Sequence, residues 1–117
     1  MKTMILALLI AVLTTLNTTY LKADDYTDAM LKAMKKMGDA ADKNDKAAML
    51  KVRGDFERIL QLKKNEWMVN YYLGFLDYML SRTAAEEKNN DDVKKYTESA
   101  ISLFDKCTDV NDQFADA

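Results

Sequence analysis

Tyr71-Tyr72-Leu73-Gly74-Phe75, followed after a polar break by Ala100-Ile101 and Phe104-Asp105-Lys106-Cys107, is the stretch on which the fold turns. A glycine set among large apolar residues lets another segment approach the backbone closely. Ala100, Phe104 and Cys107, at steps of four and three, lie on one face of a helix that could meet it. Such a pair is a helix-turn-helix unit that stacks on copies of itself, so the chain reads as part of a superhelical array. The sequence holds no His, no Gly-rich phosphate loop, no Ser in a strand-turn-helix elbow and no Cys or His cluster. Metal, phosphate and nucleophilic chemistry draw on those pieces. The reading is therefore non-catalytic, with no cofactor and no metal.

Working outward from that stretch, apolar periodicity predicts four helices. The first runs from about Tyr26 to Asp42 with Met30, Met34 and Met37 on one side and Asp24 or Asp25 as its cap. The second follows Asn44-Asp45, with Asp45 as N-cap, and reaches about Leu62 through Met49, Val52, Phe56, Ile59 and Leu60. The third, from about Glu66 to Glu87, is apolar around most of its circumference, which calls for more than one neighbouring helix. Its polar or small positions, Asn70, Gly74, Asp77 and Ser81, form a narrow stripe. Asn89-Asn90-Asp91-Asp92 then marks a turn. The fourth helix runs from about Asp92 to Val110 with Val93, Tyr96, Ala100, Leu103 or Phe104, and Cys107 inward. Zero Pro and three Gly fit an all-α chain.

The N-terminus has the build of a secretory leader. Lys2 supplies a positive start, Met4 to Leu13 is an unbroken apolar run, and a polar stretch leads to Ala23 before Asp24-Asp25. The run is short for a bilayer span. Residues 1–23 are thus expected to be a signal peptide cleaved after Ala23, although Leu21 at the −3 position is bulky; the alternative is an uncleaved anchor. Lys and Arg number 17 against 19 Asp and Glu. Without Lys2 and Lys22 the balance is 15 against 19, or −4, an acidic mixed-sign surface that argues against nucleic acid. The single Cys107 forms no internal disulfide and reads as a small buried side chain, there being no His to activate it.

Leu73-Gly74 among Tyr71, Tyr72, Phe75 and Tyr78, with Ala100, Phe104 and Cys107 in the next helix, resembles the tetratricopeptide repeat (TPR), a 34-residue antiparallel helix pair. The spacing recurs at Val52, Phe56 and Ile59, and Ala115-Asp116-Ala117 is similar to the opening of a further repeat. The resemblance covers roughly residues 52 to 117. It departs from the family at Asn70 and Asp77, where large apolar residues are usual, and at Lys64 and Asp112, where Pro is common. Between Gly74 and Ala100 the chain has 14 residues more than the family's unit, placed as about a heptad in each helix. The resemblance implies antiparallel hairpins stacked as a right-handed superhelical array, spanning residues 24–117 and continuing past Ala117. Within that family it looks most like exported bacterial proteins of unassigned role, which implies a periplasmic or envelope location.

What the resemblance implies for function is a groove lined by Met68, Tyr71, Phe75, Tyr78 and Met79 that docks a peptide or helix of a protein partner. The same aromatics could instead fill the core between repeats. The family's carboxylate clamp, a Lys and an Asn around the glycine, is replaced by Tyr71 and Phe75, which speaks against capture of a chaperone tail. Val52, Phe56, Ile59, Leu73, Gly74, Ala100, Phe104 and Cys107 are the expected packing positions. Alternatives of other classes are a structural subunit of an envelope assembly, a carboxylate-dependent enzyme, and a weak Ca²⁺ binder using Glu86-Glu87 and Asp91-Asp92.

Overall fold

The computed structural model describes residues 23–64 and 66–110. Residues 1–22 of the expected leader and the terminal Ala115-Asp116-Ala117 lie outside them. The described residues form four helices and no strand: α1 Ala23–Asp42, α2 Lys46–Leu62, α3 Trp67–Glu86 and α4 Asn90–Val110. Asp24 and Asp25 lie inside the first turn of α1 instead of capping it, where a negative charge meets the positive end of the helix dipole.

Two three-residue turns, 43–45 and 87–89, close the hairpins, and they are built alike. Asn44 and Lys88 adopt left-handed backbone angles, φ 50° and 59°. In the first turn the Asn44 N–H donates to Ala41 O at 3.1 Å and the Asp45 N–H to Ala40 O at 3.0 Å. In the second, Lys88 N–H donates to Ala85 O at 3.1 Å and Asn89 N–H to Ala84 O at 2.9 Å. Both are Schellman stops that satisfy the last carbonyls of a helix. The residue that completes each stop also starts the next helix. Asp45 Oδ1 accepts from the Ala48 N–H at 3.1 Å, and Asn89 Oδ1 from the Asp92 N–H at 3.2 Å. A short Asp or Asn side chain serves both demands.

The likeness of the turns reflects a longer repeat. α3 ends 44 residues after α1 (42 to 86) and α4 starts 44 after α2 (46 to 90). The left-handed pair (44 and 88), the buried alanines (Ala40 and Ala84) and the capping pair (45 and 89) keep the same step. The chain is therefore a helical repeat with a 44-residue period. The Val52-Phe56-Ile59 and Ala100-Phe104-Cys107 spacings lie 48 residues apart, one turn out of step with it. Four residues make slightly more than one turn, so both sets still lie on core-facing sides.

The helices run antiparallel, and each leans chiefly on its sequence neighbours, α3 and α4 most extensively. Tyr26 near the start of α1 meets Lys63 and Glu66 past the end of α2. Lys46 at the start of α2 bonds Glu87 just past the end of α3 at 3.1 Å. Phe56, Met49, Leu76, Leu80 and Val69 are buried completely or nearly so. Among the described residues Lys88 is the one non-glycine, non-Asn residue in a left-handed turn, a conformation that costs a side-chain-bearing residue about 1 kcal/mol. Lys88→Gly is expected to raise stability by about 0.5–1 kcal/mol, read as a higher urea midpoint at unchanged slope.

Candidate functional site: the open face of the second hairpin

Asp77 stands at the centre of the helix junction. Its carboxylate is fully buried, and Arg53 on α2 grips it through Nε to Oδ1 at 2.7 Å and Nη2 to Oδ2 at 3.0 Å. The Ser99 hydroxyl on α4 donates to Oδ2, and Arg53 also pairs with Glu57. One carboxylate thus ties three helices, and its lone pairs are engaged, as a buried charge requires. The hydrogen bond and charge of Asp77 hold the Arg53 guanidinium above its usual pKa. Asn70, seven residues earlier on the same stripe, is also buried, and its Oδ1 has no hydrogen-bond partner among the described residues.

Gly74 makes the close approach that the sequence reading assigns to it, but to Phe104, one turn beyond Ala100. A Cβ at position 74 would lie 2.8 Å from Phe104 Cε1 and 3.0 Å from Cδ1. Phe104, half-buried, rests on the glycine with its ring centroid 6.0 Å from that of Tyr71. Val52, Phe56, Ile59, Leu73, Ala100 and Cys107 are buried. The Cys107 thiol donates to Trp67 O at 3.2 Å, joining the end of α4 to the start of α3. Burial pushes that thiol's pKa up, which keeps it in the unreactive form.

The five expected groove residues divide. Tyr71, Phe75 and Tyr78, at i, i+4 and i+7 on α3, are 42, 37 and 49% exposed, and Ile101 on α4 is 56% exposed. Phe75 and Tyr78 have ring centroids 6.5 Å apart. Met68 and Met79 are half-buried and pack on the core instead, the thioethers filling gaps beside the first hairpin. Tyr72, between them in the helix, stacks on Phe56 at 5.6 Å. The exposed aromatics therefore line a flank of α3 that the first hairpin leaves open, where Phe104 adjoins Tyr71 from α4. Periodicity alone marks all five residues as one apolar set; which of them α2 covers is decided by tertiary packing.

No protein-family model, curated protein or solved structure matches this chain. Function therefore has to be argued from the surfaces themselves. Among the described residues no three His, Cys, Asp or Glu side chains converge as metal ligands, and no helix is long and apolar enough to cross a membrane. At the acidic turn considered for Ca²⁺, Glu87 pairs with Lys46 and Asp92 accepts from the Asn89 side-chain amide at 2.9 Å. A concavity of about 610 Å³ runs between α1 and α2 and is lined by Lys36, Asp39, Lys51, Asp55 and Arg58 among others. Asp55 is held there by Lys36 and Arg58. Elsewhere, burial and the hydrogen bond to Glu66 push the Tyr26 hydroxyl up to about 12, leaving it a donor at neutral pH. The resulting surface has two unlike ends: a charged groove on the first hairpin and an aromatic flank on the second.

Proposed function

We propose that the protein is an exported, TPR-like scaffold or adaptor that mediates protein–protein interaction in a bacterial periplasm or envelope, without catalysis. The observation that carries this reading is the Tyr71, Phe75 and Tyr78 row, which stays exposed although the rest of α3 is largely buried. Exposed aromatics grouped beside a packed core are characteristic of interaction surfaces. Rigid helices present the row, so little conformational freedom is lost on docking, and a peptide or helix with apolar anchors would gain about 25 cal/mol for each Å² of apolar area removed from water, less the costs of association. The leader motif around Lys2 and Met4 to Leu13 supports export. The helical-repeat architecture supports a stacked array, although its 44-residue step is longer than the TPR unit.

The test is to separate affinity from stability. Tyr71→Ala together with Phe75→Ala is expected to abolish recovery of partner proteins from envelope extract while lowering the melting temperature by no more than about 5 °C, because both rings are already half in water. A large fall in melting temperature, with whatever binding remains tracking the folded fraction, would make these rings core residues and remove the reading.

A further inference from the structure

We infer that, in the chain that still carries its leader, residues 4–16 lie as a helix in a trough along the first hairpin and close the stack at that end. The inference concerns the first hairpin and not the aromatic row, so it stands apart from the docking role just proposed.

Two concavities mark the seat. The one of about 610 Å³ includes Ala40, Ala48 and Val52 in its lining, and a second, of about 320 Å³, includes Ala29, Ala33 and Ile59. Lys36, Asp55 and Arg58 border both, so the two form a single trough between α1 and α2. The 44-residue step says what covers such a surface. Lys32, Ala33, Lys36 and Asp39 on its α1 side correspond to Leu76, Asp77, Leu80 and Thr83 of α3, all of them buried. In the second hairpin α2 lies over that face. Asp77 holds Arg53, Thr83 shares a cavity with Met49, and Lys95, Tyr96 and Ser99 of α4 share another with Leu50 and Arg53. On the first hairpin Lys32, Lys36 and Asp39 are exposed, the Lys36 side chain by 63% where Leu80 is wholly buried. The trough is thus the first hairpin's copy of a surface that the second hairpin keeps under the preceding helix.

The chain before α1 supplies a helix in register. Residues 2–18 lie 44 before α2, and residues 19–22 lie 44 before its link to α3. That link spans up to roughly 14 Å in either place. On α2 the residues turned to α3 are Met49, beside Met79 and Thr83, Arg53, on Asp77, and Phe56, on Tyr72. Their counterparts Ile5, Leu9 and Val12 are all apolar and fall within the unbroken run Met4 to Leu13. The polar pair of that contact has apolar counterparts on both sides. Arg53 meets Asp77 in one seam, and Leu9 would meet Ala33 in the other, so each seam agrees with itself.

Burial favours the seat. A helix of about 13 residues is marginal alone in water, and the run would leave a continuous apolar surface in solvent. In the trough it meets a floor of apolar groups, Ala29, Ala33, Ala40, Ala48, Val52 and Ile59. The charges stand at the sides. Asp55 is already held between Lys36 and Arg58, and the lysine and arginine stems can lie along an apolar helix while their heads stay in water. Residues 3–21 carry no charge that the seat would strand. Cleavage after Ala23 would remove the occupant and uncover the trough.

The test is thiol labelling of the uncleaved full chain, made by cell-free translation without membranes. Cys107 is buried, so added cysteines report by themselves. Lys36→Cys is expected to react with a maleimide about tenfold more slowly than Ile101→Cys, which stands exposed. Leu9→Glu with Val12→Glu should drive the leader out and bring the Lys36→Cys rate up to that of Ile101→Cys, whose own rate should not move. Independently of those rates, Val12→Cys with Asp28→Cys, at the counterparts of the stacked Phe56 and Tyr72, should be joined within one chain by a short bis-maleimide, and Val12→Cys with Tyr78→Cys should not. If the double Glu variant unfolds, the cross-links decide alone. Equal labelling of Lys36→Cys and Ile101→Cys in the uncleaved parent, or slow Lys36→Cys labelling that a folded double Glu variant leaves unchanged, overturns the seat. So does a 12–28 link found only between chains, or a 12–78 link, which would put the leader on the aromatic row. Failure of the seat leaves the Tyr71 and Phe75 test standing, since that test reads recovery of a partner.

Discussion

Replacing Asp77 with Ala is expected to lower the unfolding free energy by about 2–4 kcal/mol. The truncation leaves the Arg53 guanidinium, whose side chain is only 24% exposed, without its bidentate partner, and the Ser99 hydroxyl without its acceptor. Breaking a buried pair from one side costs about 3–5 kcal/mol. The partial exposure of Arg53 reduces that figure, since water can solvate part of the orphaned charge. For a domain of this size the loss corresponds to a melting temperature lower by roughly 10–25 °C. The companion variant, Arg53→Met with Asp77→Leu and Ser99→Ala, removes all three polar groups together. It should recover most of the loss, because an apolar replacement of a complete buried pair is often neutral or stabilising. Urea melts of the two variants decide the matter. A loss below about 1 kcal/mol in Asp77→Ala would show that the junction draws little stability from the network.

The second large effect is at Gly74. Leu at this position is expected to cost about 1–3 kcal/mol by overpacking, since a Cβ alone already falls 2.8 Å from the Phe104 ring. Ala separates two opposed contributions. It improves helix propensity by about 1 kcal/mol over Gly, and it forces the Phe104 ring aside. Phe104 is half-buried and has somewhere to go, so the net effect of Gly74→Ala in the parent should be a small loss. In a Phe104→Ala background the obstruction is gone, and the same substitution should stabilise by about 0.5–1 kcal/mol. That reversal of sign, measured as a double-mutant cycle by denaturant unfolding, is the signature of the contact. If Gly74→Ala has the same effect in both backgrounds, the glycine has no role in seating the ring.

The helices were legible in the sequence because each carries a strong apolar period and a polar break. The Asp45 cap was legible because a short acid after Asn44 precedes the periodic run, and the close approach at Gly74 because a glycine in the most apolar helix has few other uses. The junction at Asp77 was only half visible. An acid in such a helix signals a buried partner, but Arg53 and Ser99 lie 24 residues before it and 22 after it, and spacing cannot choose them among the other cations and hydroxyls. The 44-residue period was hidden for a different reason. It lives in backbone hydrogen bonds and in two left-handed residues, and Asn44 and Lys88 share a conformation without sharing a residue type. Of the site, the aromatic row could be named in advance. Its separation from Met68 and Met79 follows from where α2 lies, which local spacing does not encode.

The three-residue turns have a kinetic consequence. Each helix presses chiefly on the element next to it in the chain, so little loop has to be closed before contact is rewarded. Chains of that kind have low contact order and fold in microseconds to milliseconds. Either hairpin can form first and template the other, as expected of quasi-linear arrays, and the wait before such a surface becomes available is brief.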